Sequence, residues 1–101
     1  MPLYELSLLL RPRLPVEQVA GVLRKVGRGV LGQGGVVRSL QDLGQQRLAY
    51  GVSKRHSAPT READLAVVHF DCPPTHIREV EETARLDDRV VRHMVVKKDR
   101  A

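Results

Sequence analysis

Two hydrophobic periodicities alternate along the chain, and their order limits the folds that it can adopt. Apolar residues two apart indicate half-buried strands, and a short continuous apolar run indicates a strand buried on both faces. Apolar residues three and four apart indicate amphipathic helices. These patterns predict strands over residues 3–10, 36–54, 63–70 and 90–96, and helices over residues 16–31 and 74–86. The predicted order is therefore strand, helix, strand, strand, helix, strand.

The longest predicted strand, residues 36–54, changes phase in its middle. Val36 and Leu40 are in phase with Leu48, but Leu43 is out of phase and precedes Gly44. A phase change at a glycine within a strand indicates a β-bulge. The bulge should bend the strand and carry its basic end, residues 47–55, beyond the core. We predict that this arm carries function.

The order of elements predicts a known architecture. Two strand–helix–strand units with right-handed crossovers, joined by a hairpin, give an α+β ferredoxin-like sandwich with βαββαβ order. Its four-stranded antiparallel sheet carries both helices on one face. We expect residues 1–101 to form a single domain of this kind.

The predicted core faces follow from the same periodicities. The first strand turns its even-numbered residues inward: Tyr4, Leu6, Leu8 and Leu10. The first helix has one apolar face, formed by Val16, Val19, Ala20, Leu23, Val26, Gly27, Val30 and Leu31. Gly32, Gly34 and Gly35 should end this helix. In the second helix the inward residues are Ile77, Val80 and Ala84.

The charge of the chain is positive and unevenly distributed. The net charge is +5, with a pI near 10. Residues 73–88 contain five acidic and two basic residues, so this segment carries −3 and the remainder carries +8. A basic body with one acidic helix favours a partner that is a polyanion, nucleic acid above all.

Catalytic and metal-binding functions find little support in the sequence. Cys72 is the single cysteine, which excludes an internal disulfide and indicates a reducing compartment. His69 and Cys72 are close in sequence, but we expect a packed histidine and a buried thiol. The four histidines lack metal-ligand spacing. The chain has no asparagine, which an acylphosphatase-type enzyme of this fold class requires. We therefore expect no enzyme activity, no metal and no cofactor.

Aromatic residues are too few for RNA recognition by base stacking. Tyr4, Tyr50 and Phe70 are the three aromatics, and one of them lies in the third strand. RNA-recognition domains of this architecture stack bases on aromatics of the central strands. If this chain binds RNA, lysine and arginine should contact phosphates.

Three segments resemble one protein family. MPLYELSLLLRP resembles the opening of small-ribosomal-subunit protein six of the bacterial and mitochondrial type. GGVVRSLQDLGQQRLAY is similar to the second strand of that family, and LDDRVVRHMVVKK to its last strand. The long basic hairpin and the absence of an acidic tail resemble mitochondrial members, with a bacterial origin as the alternative.

The resemblance implies a structural protein of the small ribosomal subunit without catalysis or cofactor. Members bind the central domain of small-subunit rRNA as a heterodimer with small-subunit protein eighteen, beside other ribosomal proteins. No membrane and no small-molecule substrate are implied. Pro2 departs from the family, which often has a basic residue there, and this removes one expected RNA contact.

We predict the RNA contacts among the basic residues that follow or end strands. They are Arg11, Arg13, Arg47, Lys54, Arg55, Arg92, His93, Lys97 and Lys98. We expect the first and last strands to neighbour each other only through the central pairing, so these residues need not form one patch.

A protein partner is predicted on the sheet face opposite the helices, or at the exposed edge of the long strand. The apolar residues assigned to that face are Leu3, Leu9, Val91 and Val95. The alternative function is a self-associating ferredoxin-like regulatory domain that closes this face against a second copy without binding RNA. The basic hairpin and the basic tail distinguish the two functions, because self-association requires neither.

Overall fold

The chain folds with the predicted order of elements in the computed structural model, which describes residues 1–52 and 60–98. The elements are β1 (Leu3–Leu10), α1 (Val16–Gly32), β2 (Val36–Val52), β3 (Thr60–Asp71), a short 3-10 turn (Pro74–His76), α2 (Ile77–Arg85) and β4 (Val90–Lys98). The strands form one antiparallel sheet in the order β2-β3-β1-β4. The predicted ferredoxin-like sandwich is confirmed. However, β1 and β4 pair directly, so the expectation that they meet only through the central pairing was wrong.

The core lies between the helices and one face of the sheet. Tyr4, Leu6, Leu8 and Leu10 are buried against both helices, as predicted. In α1 the apolar face is rotated from the predicted one. Val22 belongs to the core, whereas Val16 and Leu31, at the two ends of the helix, are exposed. Val22 lies one turn from both Val19 and Val26 and therefore belongs to the same buried stripe. Val16 and Leu31 lie in the terminal turns of the helix, beyond that stripe.

Two backbone hydrogen bonds from glycines end α1 where the sequence predicts. Gly34 has a φ of +77° and its N–H donates to the carbonyl of Leu31 at 3.1 Å. The N–H of Gly35 donates to the carbonyl of Val30 at 2.9 Å. This pair of bonds is the Schellman motif, which satisfies the last carbonyls of a helix and needs glycine at the left-handed position. It turns the chain directly into β2.

The predicted bulge in β2 is confirmed at Gly44. Asp42 pairs with Ala66 and Gly44 pairs with Leu65, which leaves Leu43 without a partner in the register. Gly44 has a φ of +77°, and its N–H donates to the carboxylate of Asp42 at 3.0 Å. A left-handed glycine at a bulge is the arrangement that increases strand twist.

A second bulge in β2, at Arg38, was not predicted. Its guanidinium bonds the buried carboxylate of Asp71 at 2.6 Å. Val37, just before the inserted residue, pairs with Phe70 and packs against the core. Val36 pairs with Asp71 and Leu40 with Val68, which face opposite sides of the sheet, so the shared phase predicted for Val36 and Leu40 was wrong. Both side chains are exposed.

The sheet face opposite the helices, called the open face, has no element of the described chain packed on it. Its residues follow from the register, because directly paired residues point to the same side of a sheet. From β1 they are Leu3, Glu5, Ser7 and Leu9, from β3 Asp71, His69, Val67 and Leu65, and from β4 Lys98, Val96, Met94 and Arg92.

Candidate nucleic-acid and protein interfaces

The predicted RNA-contact residues fall at two ends of the sheet. Arg92 pairs with Leu9, near the end of β1 that leads to Arg11 and Arg13, whereas Lys97 and Lys98 pair with Tyr4 and Leu3. Six residues of strand separate these ends, roughly 20 Å at about 3.3 Å per residue. The residues therefore do not form one patch. Lys54 and Arg55 lie outside the described residues.

Arg11 and Arg13 differ in how tightly the fold holds their side chains. The Nε of Arg11 donates to the backbone carbonyl of Asp88 at 2.7 Å, which ties β1 to the turn before β4. Arg13 is exposed, and its guanidinium lies 3.7 Å from the carboxylate of Glu62. An exposed ion pair of this length contributes little, so Arg13 can exchange its partner for a phosphate.

The two-stranded end of β2 and β3, residues 46–52 and 60–63, forms a hairpin ribbon beyond β1. β1 pairs with β3 only as far as Asp64, whereas the pairing of β2 with β3 continues as far as Thr60. Arg47 is exposed on the ribbon and pairs in register with Glu62. Arg61, the residue before Glu62, is exposed as well and was missed, because the third strand was predicted to begin only at residue 63. Successive strand residues face opposite sides, so cations stand on both sides of the ribbon.

Arg92 and His93 point to opposite sides of β4. Arg92 is exposed on the open face. His93 pairs with Leu8, on the helix side, and lies close enough to act on Glu82 of α2. A hydrogen bond from Arg85 is the main reason that the pKa of Glu82 is below its usual value, and His93 adds a smaller effect. A single RNA strand on one face cannot contact both side chains equally.

An apolar groove of about 410 Å³ lies on the open face. Its lining residues are Ser7, Leu9, Leu65, Arg92, His93 and Met94. Met94 is 61% exposed and Val96 is 39% exposed, and neither was assigned to this face from the sequence. The open face therefore presents apolar side chains to solvent, the kind of surface that a partner covers.

The predicted partner residues divide between the two faces. Leu3 and Leu9 lie on the open face, as assigned. Val95 packs against the core, and Val91 is buried, so their assignment to an exposed patch was wrong. The cause is a bulge in β4: Leu9 pairs with Arg92 and Leu10 with Val90, which leaves Val91 as the inserted residue. Beyond it the even-numbered residues of β4 occupy the open face.

A row of polar side chains crosses all four strands at one end of the open face. Ser39 Oγ lies 2.9 Å from His69 Nδ1, and His69 Nε2 lies 3.0 Å from the carboxylate of Glu5. Lys98 lies 3.9 Å from the same carboxylate. In the neutral tautomer that satisfies every bond, Ser39 donates to Nδ1 and Nε2–H donates to Glu5. This polar row occupies one half of the open face, and the apolar groove lies beside it in the other half.

His69 and Cys72 were expected to be a packed histidine and a buried thiol. His69 instead lies on the open face in the polar row, so that expectation was wrong for it. Cys72 is fully buried, as expected, and burial is the main cause that raises the pKa of its thiol. A thiol held protonated in the core is a poor nucleophile.

The described part of the chain offers no metal site. Among residues 1–52 and 60–98, no three His, Cys, Asp or Glu side chains are grouped so that they could hold an ion. Within the same residues, neither helix has the length and apolarity needed to cross a membrane.

Fold and surface together define a ferredoxin-like domain with an open, partly apolar sheet face and exposed cations on its hairpin ribbon. Comparison with known proteins identifies the family. The family model for ribosomal protein S6 matches residues 3–97, and the chain belongs to the ribosomal protein S6 family. This family consists of structural proteins of the small ribosomal subunit rather than enzymes.

Two relatives illustrate the match. Small ribosomal subunit protein bS6m of Drosophila melanogaster is 35% identical over 97 residues, which are 96% of this chain and 65% of that protein. The chain thus spans about two thirds of the length of this relative. Similarity to this mitochondrial relative confirms the mitochondrial type that the sequence suggested. The crystal structure of 30S ribosomal protein S6 from Thermotoga maritima superposes with a TM-score of 0.83 at 20% identity, over 96% of this chain and 87% of that one.

Proposed function

We propose that the chain is a structural component of the mitochondrial small ribosomal subunit that binds the central domain of small-subunit rRNA together with small-subunit protein eighteen. Membership of the ribosomal protein S6 family is the observation that carries this proposal. Similarity to a mitochondrial relative supports the location, with the bacterial cytoplasm as the alternative. Exposed cations on the hairpin ribbon support RNA binding, and the apolar groove supports a protein partner.

The proposal assigns separate tasks to the two surfaces. Arg13, Arg47 and Arg61 are exposed near the end of the sheet where the hairpin ribbon begins, and they suit phosphate contacts that position the protein without reading bases. The groove between Leu9, Leu65 and Met94 suits apolar side chains of a protein. Arg92, at the groove, can pair with a carboxylate of that protein.

Sedimentation of the tagged protein from mitochondrial lysate tests the ribosomal assignment. With magnesium present, the protein should migrate with the small subunit, and chelation of magnesium should release it as the rRNA unfolds. Migration as a free dimer in both conditions would instead favour the self-associating domain. Migration with the small subunit from a bacterial lysate alone would favour the bacterial location.

Loss of the ribbon cations should weaken rRNA binding and its dependence on salt. For Arg47→Ala with Arg61→Ala, we expect the slope of log K against log salt to fall by about 1.4 to 1.8, since each phosphate contact contributes roughly 0.7 to 0.9. The sequence predicts a similar fall for Lys54→Ala with Arg55→Ala. Filter binding to small-subunit rRNA over a salt series measures both.

The matched control for these variants is Arg85→Ala. Arg85 is exposed like the ribbon cations, but its guanidinium bonds Glu82 at 2.8 and 3.1 Å on α2. The control should keep the slope of the wild type. An equal loss in the control and in the ribbon variants would mean that bulk charge, and not the ribbon, determines binding.

A charge placed in the groove should prevent partner binding without unfolding the protein. Met94→Glu is expected to weaken binding of small-subunit protein eighteen by about 30-fold or more, the size typical of a central interface residue. Leu31→Glu is the control, because Leu31 is 62% exposed against 61% for Met94 but lies on α1. Calorimetric titration measures both. Equal affinities of the two variants for the partner would show that the groove is not part of the interface.

A further inference from the structure

The outer surface of α1 carries three cations, Arg24, Lys25 and Arg28, which we call the α1 basic cluster. All three are exposed. Arg24 and Arg28 are four residues apart and therefore share one side of the helix, with Lys25 beside them. The opposite side of α1 packs against the sheet through Val22 and Val26. The cluster thus faces away from the open face and from its groove.

The fold itself does little to neutralise these charges. Across residues 1–52 and 60–98, neither Arg24 nor Arg28 takes part in an ion pair or side-chain hydrogen bond. Lys25 lies 3.7 Å from Asp87, but the same carboxylate already binds Arg89 at 2.8 Å. On the neighbouring helix, Glu82 bonds Arg85 of its own helix.

The arrangement is unfavourable for an isolated helix. Like charges at positions i and i+4 destabilise a helix by about 0.2 to 0.5 kcal/mol. The acidic residue of α1, Glu17, stands seven residues before Arg24, roughly 10 Å along the axis at about 1.5 Å per residue. It is too distant for an ion pair. The charge of the cluster therefore remains available to a polyanion outside the chain.

We infer that the α1 basic cluster is a second rRNA contact, which binds phosphate groups on the side of the molecule opposite the open face. The inference rests on the proposed function, because it takes rRNA as the polyanion. Arginine and lysine on a helix without aromatic side chains suit phosphates rather than bases. The chain then lies between RNA at its helices and a protein partner at its sheet.

The test is rRNA binding by Arg24→Gln with Arg28→Gln, measured over a salt series with the full chain. Glutamine keeps helix propensity, so the helix should persist, and circular dichroism checks this. We expect weaker binding at every salt concentration and a slope lower by about 1.4 to 1.8. Arg24→Lys with Arg28→Lys should restore most of the slope. Arg78→Gln with Arg85→Gln removes two charges from α2 and should leave the slope unchanged.

Three results would overturn the inference. The α1 glutamine variant could keep the wild-type slope while the ribbon variant loses slope. This result would show that the α1 basic cluster does not contact rRNA, and it would leave the proposed function intact. Equal losses in the α1 and α2 variants would indicate bulk charge alone. Absence of rRNA binding by the wild-type chain would overturn the inference and the RNA-binding part of the proposed function together.

Discussion

Replacing Gly35 with alanine is expected to destabilise the protein by about 3 kcal/mol and to lower its melting temperature by roughly 10 to 25 °C. A Cβ on Gly35 would overlap the backbone carbonyl oxygen of Asp71, and it would lie 2.8 Å from Val30 Cγ1 and 3.0 Å from the carbonyl oxygen of Val30. Two of these three atoms belong to backbone, one in α1 and one in β3, so no side-chain rotation relieves the overlap. Either the helix or the strand must move.

The neighbouring glycines provide controls for this prediction. Gly32→Ala meets no atom within 4 Å and remains helical, so it should leave the melting temperature unchanged or raise it, by at most about 1 kcal/mol in stability. Gly34→Ala is also unobstructed, but its φ of +77° should make it less stable by about 1 to 2 kcal/mol. Thermal unfolding followed by circular dichroism ranks the three variants. Similar melting temperatures for Gly35→Ala and Gly32→Ala would show that the close approach at Gly35 does not constrain the fold.

Gly35 illustrates how far the sequence determines this fold. Three glycines in four residues predict a helix end, because glycine adopts the left-handed conformation, and the helix does end there. The need for glycine at position 35 is of another kind. It arises from the approach of β3, more than 30 residues later in the chain, and no local pattern contains that information.

The open face was harder to predict for a related reason. Alternation assigns each strand two faces but does not say where a bulge shifts the phase. In β2 the bulge at Gly44 was predictable, since glycine at a phase change is a local signal, whereas the bulge at Arg38 has no glycine. In β4 the bulge at Val91 reversed the faces, so Met94 and Val96 were missed and Val95 was misplaced. Cross-strand register, which decides both, is a tertiary property.

The basic residues show the same division between composition and geometry. Their excess was evident from the sequence, and it pointed to a polyanion. Their availability was not, because it depends on which carboxylates the fold brings near. Arg11 and Arg38 are held by backbone or carboxylate groups of distant residues, whereas Arg24 and Arg28, which have no special place in the sequence pattern, remain unpaired within the described residues.

Asp87 should make the stability of the protein depend on pH in the acidic range. Its carboxylate is 6% exposed and accepts hydrogen bonds from the backbone N–H and the guanidinium of Arg89 at 2.8 to 3.0 Å. The side-chain hydrogen bonds from Arg89 are the main cause that lowers the pKa of Asp87 from 3.8 to about 2. Arg89 also donates to Gln18 at 3.0 Å, so this contact fastens the turn before β4 to α1.

The sign of the effect follows from the lowered pKa. The folded state holds the carboxylate ionised more strongly than the unfolded state does, so the contribution is complete above pH 3.8 and is lost as the pH falls through about 2. A shift of this size corresponds to about 2 kcal/mol. Asp87→Asn should therefore be less stable than the wild type by about 2 kcal/mol at pH 7, and the difference should shrink between pH 4 and pH 2.

Urea unfolding from pH 7 to pH 2 measures the two curves, with Asp88→Asn as the matched control. Asp88 is the next residue and is exposed, so its substitution should change stability by less than about 0.5 kcal/mol at every pH. Because Arg89 joins Asp87 to α1, Arg89→Ala should also cost stability at pH 7 and should flatten the acid dependence. Parallel curves for the wild type and Asp87→Asn down to pH 2 would mean that the Asp87–Arg89 contact adds no pH-dependent stability, and that packing of α2 alone holds the turn in place.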